Sequence, residues 1–302
     1  MSAWYDDRAL VASMPARLRL LAAYSRIAAV RSTGRVRGGS FLFRRLREAG
    51  RLLRLRRTAP IRVGTDTLWV DLEDARLLAA LVELRQPDAR EGRILDALLP
   101  PAGTFIDIGA NHGVWCVLAA RRVGPHGRLV AVEPNPVLAE CVRRTLADGG
   151  VPADVHGVAL GSTAGRATLF IPAAGSGSGS LLRGYADGAG EPVTVDVMTL
   201  DAIAATVQAG TPCVVKLDVE GFELAVLRGG MQFLRRVRPV IFWELNPTSI
   251  AAAGHDLATL LSAFLDAGYD RCAELDHWPE TVPTQSVAPG PQRNLVALPA
   301  AT

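Results

Sequence analysis

The segment Phe105-Ile-Asp-Ile-Gly-Ala-Asn-His-Gly113 is an apolar run that breaks into a glycine-rich turn. A chain built around it must lead a buried strand into a tight turn and then a helix, because glycine alone adopts left-handed backbone without penalty. The glycines fall at 109 and 113, not in the GxGxxG spacing of dinucleotide binders. Gly109 permits the turn, and Gly113 lets the helix start approach a ligand. Asp107 sets a carboxylate beside the turn; it would repel a pyrophosphate but suits the cationic amino-acid end of S-adenosylmethionine. The next strand ends in Glu133, 26 residues after Asp107. A carboxylate at the end of a second strand is suited to accept both ribose hydroxyls. Pro134–Pro136 then turns the chain into another helix. His112 reads as a residue that opens its helix, with no catalytic role.

Beyond this unit, short Val- and Ile-rich runs alternate with helical stretches. A hairpin is expected from Ile61–Val63 and Leu68–Leu72, with helices over about 74–85 and 91–99. Strands follow at Thr104–Ile108, Leu129–Glu133, Asp154–Ala159, Cys213–Asp218 and Val240–Glu244, with helices from His112, Pro136, Leu200 and Phe222. Ala167–Ile171 and Val193–Val197 are further extended segments. A helix at about 256–267 and strands near Tyr269–Glu274 and Asn294–Leu298 complete the pattern. Continuous apolar strands separated by helices predict a sheet covered on both faces. The expected fold is α/β: a doubly wound, Rossmann-like class I methyltransferase sheet of seven mostly parallel strands. Such sheets bind ligands beyond the carboxyl ends of their strands, where strand order reverses. Gly175–Ser180 alternates Gly and Ser and reads as a flexible surface loop, in a position that suits a mobile flap.

Cys213–Glu223 reads CVVKLDVEGFE. In an extended strand Lys216, Asp218 and Glu220 share one face by their spacing of two. Three charges at the end of an apolar strand are costly to bury unpaired, so they mark either a core ion pair or a reacting centre. Glu223 lies near the start of the next helix, whose positive end it favours. Glu244 ends the following strand, with Asn246 close behind. Asp218 and Glu244 together would make an oxygen-rich site for a magnesium ion; equally, one of them would serve as general base to a substrate hydroxyl.

At 302 residues and 49% apolar, the chain is long enough for one sizeable core. Charge is uneven: residues 1–60 carry fourteen arginines against Asp6, Asp7 and Glu48, while the whole chain is only +3. Residues 1–58 read as an arginine-rich helical extension and 59–302 as the cofactor-binding domain. The extension's basic amphipathic helix would either pack on that domain or lie on an anionic membrane surface. The acidic remainder, without interleaved aromatic and basic residues, speaks against a nucleic-acid acceptor. Four scattered cysteines with no CxxC pair read as reduced core thiols. With no secretory signal and no membrane-length apolar run, the expected location is cytoplasmic. The sequence sets no oligomeric state.

These segments together resemble the FkbM family of methyltransferases, over about Arg93 to Asn246. The marks are FIDIGANHG, VAVEPNP, VALGSTAG, GSGSGSLL, VTVDVMTLD and, above all, VVKLDVEGFE. The resemblance implies methyl transfer from S-adenosylmethionine to a hydroxyl of a sugar or secondary metabolite. The rival readings are a non-catalytic adenosyl-binding module and a nucleic-acid methyltransferase using the basic N-terminus. The expected cofactor residues are Asp107, Gly109, Asn111, Gly113, Glu133 and Asn135; the expected catalytic residues are Asp218, Lys216, Glu220 and Glu244. One departure is Ser162, where family members often carry an Asp facing adenine; backbone near Ala159–Leu160 would replace that contact.

Overall fold

The computed structural model describes residues 57–63, 65–74, 90–150, 152–172, 179–182 and 191–301. The arginine-rich segment 1–56, nearly all of the helix expected over 74–85, and most of the Gly/Ser loop lie outside the described residues. The expected hairpin is present, with β1 (Thr58–Val63) antiparallel to β2 (Asp66–Asp71).

After α1 (Arg90–Leu98), the wholly buried β3 (Thr104–Ile108) leads into α2 (Val114–Val123). β4 (Arg128–Val132) leads into α3 (Pro136–Gly149), which begins with proline behind a capping asparagine and stops at left-handed Gly150. β5 (Ala153–His156), β9 (Cys213–Leu217) and β10 (Val240–Leu245) continue the parallel sheet. β11 (Tyr269–Glu274), β12 (Val282–Pro283) and β13 (Arg293–Pro299) extend it antiparallel. The order is β12-β11-β13-β10-β9-β3-β4-β5. The expected seven strands are therefore eight, because Val282–Pro283 adds a two-residue edge.

Alternate residues of each strand enter opposite cores, as the strand period of two requires. Ile106, Val215 and Trp243 join one core, and Phe105, Val214 and Phe242 join the other. A second correction concerns Asp154–Ala159, which breaks after His156. Ala159–Leu160 (β6) leaves the main sheet and pairs with β8 (Glu191–Met198), itself antiparallel to β7 (Gly165–Ile171). The chain runs from β3 outward to β4 and β5, then returns to the opposite side for β9 and β10. Strand order thus reverses between β3 and β9, and the crevice at their carboxyl ends is where this fold places ligands.

No helix among the described residues is long and apolar enough to cross a membrane. All four cysteines are buried free thiols.

Candidate active site

A cavity of about 330 Å³ opens at that crevice. Gly109 and Asn111 of the β3–α2 turn, Glu133 and Pro134 after β4, and Val158–Leu160 line one side. Both turn residues are left-handed, with φ of 82° and 53°. A Cβ on Gly109 would stand 1.9 Å from the carbonyl oxygen of Asp218, so only glycine lets the turn lie against the end of β9. Glu133 is nearly buried. One of its oxygens accepts from the Asn111 amide (2.8 Å) and the other from the Asn135 amide (2.8 Å). Burial pushes its carboxyl up to about 7 despite those two bonds.

Three expected cofactor residues stand behind the cavity wall. Asp107 has no exposed surface: it accepts from the Cys116 thiol at 3.1 Å and faces Lys216 Nζ at 3.8 Å. Desolvation raises its carboxyl above the ordinary range, and Lys216 opposes the rise. Gly113 is turned toward α3, where a Cβ would meet Val142 at 3.3 Å. The Asn135 side chain caps α3 by accepting from the Val137 amide at 3.0 Å. Asn135 reaches the cavity through its backbone amide, which holds Glu133.

The opposite side is acidic. Asp218, Glu220 and Glu244 line it. β9 ends at Leu217, so Asp218 and Glu220 lie past the strand and the expected shared strand face of Lys216, Asp218 and Glu220 is not formed. Lys216 Nζ donates to Asp218 at 3.1 Å and to the Gly109 carbonyl at 3.3 Å. Glu220 lies past the strand in a turn, with φ of 51°. That turn is held by Glu223, which accepts from the amides of Val219 (3.3 Å) and Gly221 (3.2 Å). The Ser180 hydroxyl donates to the Glu220 carbonyl at 3.1 Å. Burial pushes the Glu223 carboxyl up to about 7. Glu244 is raised by burial first and by Asp218 second, while Gln292 donates to it at 2.7 Å.

A second cavity of about 180 Å³ adjoins the first and shares Asp218 and Glu244 with it. Its walls include Lys216, Asn294 and the tilted ring pair Trp115–Phe242, 5.6 Å apart. Ser180 falls in the Gly/Ser run expected as a flap, whereas Gln292, an uncharged residue in a Pro/Gly loop, and Trp115, a tryptophan on a helix, carry no local mark of a site. Among the described residues no group of three or more His, Cys, Asp or Glu side chains is placed to hold a metal ion.

A family model for the methyltransferase FkbM domain matches residues 107–271. No curated protein matches the chain at a significant level. Among solved structures, the methyltransferase FkbM from Methylobacillus flagellatus is similar over 74% of this chain and 53% of its own, at 17% identity and a TM-score of 0.41. This chain thus spans about half the length of that protein. A SAM dependent methyltransferase from Aquifex aeolicus is similar over 76% of this chain and 95% of its own, at 13% identity and a TM-score of 0.41.

Proposed function

Because the chain belongs to the FkbM methyltransferase family, we propose that it is an S-adenosylmethionine-dependent O-methyltransferase acting on a hydroxyl of a sugar or secondary metabolite. The observation that carries this reading is one cavity with Glu133 on one rim and Asp218 and Glu244 on the other, where a second cavity begins. The residues fit the cofactor. Each Glu133 oxygen spends one acceptor site on a backbone amide and keeps another for a ribose hydroxyl. The side-chain-free turn at Gly109, with Asn111, takes the methionine end. Backbone at Ala159–Leu160 lies beside the adenine, while exposed Ser162 takes no part.

The cofactor supplies an electrophilic methyl group on a sulfonium. The protein's task is to hold the acceptor oxygen in line with it, and alignment alone lowers such barriers by several kcal/mol, up to about 7–11. Glu244 takes the hydroxyl proton: its raised affinity for protons makes it a better base than an ordinary carboxylate, and Gln292 fixes one of its oxygens. Asp218 orients the same hydroxyl, anchored by Lys216. Asp107 holds Lys216 from behind, and Glu220 closes the rim.

The second cavity suits the acceptor. Its ammonium is already engaged by Asp107 and Asp218, which leaves Glu244 as the lining acid outside that ion pair. A neutral hydroxylated ring over Trp115 is favoured there, whereas a phosphodiester would meet carboxylates. We place the catalytic domain at residues 59–302, in the cytoplasm, with 1–58 as an arginine-rich extension.

Calorimetric titration with S-adenosylmethionine, S-adenosylhomocysteine and NADH, with and without magnesium, tests the reading. Binding of the two adenosyl ligands alone, unchanged by magnesium, is expected. A folded protein that binds neither would end it.

A further inference from the structure

We infer that His112 is a positioning residue of the cofactor site, acting through the side-chain amide of Asn111 and steadied by Asp74 beyond the β1–β2 hairpin. The inference rests on the assignment of Asn111 to the cofactor.

His112 sits between β3 and α2 and is about as buried as a side chain can be, with 1% of its surface exposed. Burial lowers its affinity for protons, against the opposing pull of Asp74 and Asp71, so the ring is neutral. A neutral imidazole carries one N–H. Nδ1 lies 2.7 Å from Asn111 Oδ1 and 3.7 Å from Asp74 Oδ2. A carboxylate on that side of the ring favours the proton on Nδ1, which then donates to the Asn111 carbonyl oxygen. The amide's orientation follows, with its oxygen toward His112 and its NH2 end turned away from the ring.

Asn111 is thereby fixed twice. Its backbone amide donates to Glu133, and its side chain accepts from His112. The residue lines the cavity in a left-handed conformation that few residues adopt. A donor held there matches the carboxylate of the cofactor's methionine end. His112 Nε2, by contrast, is buried with no hydrogen-bond partner. Burying an unpaired polar atom is costly, and a leucine would fill the same space without it. A residue kept only for packing would not be a histidine.

The test is calorimetric titration of the full chain with S-adenosylhomocysteine, with thermal melts as the folding control. His112→Leu should weaken binding about tenfold, the worth of one buried hydrogen bond. His112→Asn places its amide nitrogen where Nδ1 lies and should bind within about threefold of wild type. His112→Gln puts its donor at the ε position and should not rescue. Asn111→Gly removes the amide while keeping the left-handed turn; on that background His112→Leu should add nothing. If His112→Leu fails to fold, the contrast between the Asn and Gln variants carries the same content. Unchanged binding by His112→Leu, or an Asn variant no better than Gln, overturns the inference. So do additive effects of the two sites. A folded wild type that does not bind would sink the cofactor reading as well, whereas normal binding with a silent His112→Leu sinks only the positioning role.

Discussion

Glu133 already accepts two backbone amides before any ligand arrives, one on each oxygen. A glutamine there must turn its NH2 toward one of them, leaving two donors face to face. Glu133→Gln should therefore weaken S-adenosylhomocysteine binding at least about tenfold in a titration, since an unsatisfied buried donor costs about 1–3 kcal/mol. Glu244 is different, because only one of its oxygens is engaged by Gln292. Glu244→Gln should leave adenosyl-ligand affinity unchanged and lower transfer of labelled methyl to the acceptor by about 10²–10⁴-fold. Equal activity of that variant would move the base to Asp218. Glu133, Asp218 and Glu244 could be picked out from sequence because each is a charge at the end of an apolar run. Gln292 and His112 could not: their importance comes from neighbours that only the fold brings together.

At the scale of elements, the hairpin β1–β2 is part of the catalytic body. The Trp69 amide donates to Thr145 Oγ1 of α3 at 2.9 Å, and its indole donates to Asp148 at 3.0 Å. The Arg144 guanidinium covers the Trp69 ring at 4.8 Å, and Asp66 pairs with Arg121 of α2. Thr145→Val keeps the shape and strands the Trp69 amide, so it should cost about 1–3 kcal/mol in urea unfolding. A change below about 0.5 kcal/mol would mean that water replaces the hydroxyl. The hairpin itself was legible from its alternating residues around a Gly-Thr-Asp turn. The exchange of Ala159–Leu160 into a second sheet was not, because an apolar pair after Gly157 looks the same whichever strand it joins. Edge strand Val282–Pro283 was invisible for the opposite reason: proline argues against a strand, and two residues form no pattern.

For the whole molecule, buried acids set the dependence on pH. Glu133 and Glu223 release protons at about 7 when folded and near 4.5 when unfolded. Between pH 6 and pH 8 the folded chain must give up protons that the unfolded chain has already lost. Each group then removes about 1.4 kcal/mol of stability as pH rises through that window. Asp107 and Glu244 shift in the same direction. His112, whose affinity for protons burial lowers, works the other way: the unfolded chain takes up its proton below about 6.5, which opposes the gain at low pH. The ligand-free protein should thus be more stable at pH 6 than at pH 8 by about 2 kcal/mol in urea titrations. Glu223→Gln should remove about 1.4 kcal/mol of that difference, since its second oxygen has no partner to offend. Equal midpoints at both pH values would show that these acids ionise freely.

The carbonyl of Asp218 occupies the place that a side chain on Gly109 would need. That contact joins the turn that receives the cofactor to the strand end that meets the acceptor, with nothing compressible between them. Variation in a lineage of such chains is then unevenly permitted. The acceptor pocket is free to diversify through Asn294 or through the ring pair Trp115–Phe242. Gly109 and the backbone at Asp218 can only be inherited together, as one joint whose loosening would misalign donor and recipient at a stroke.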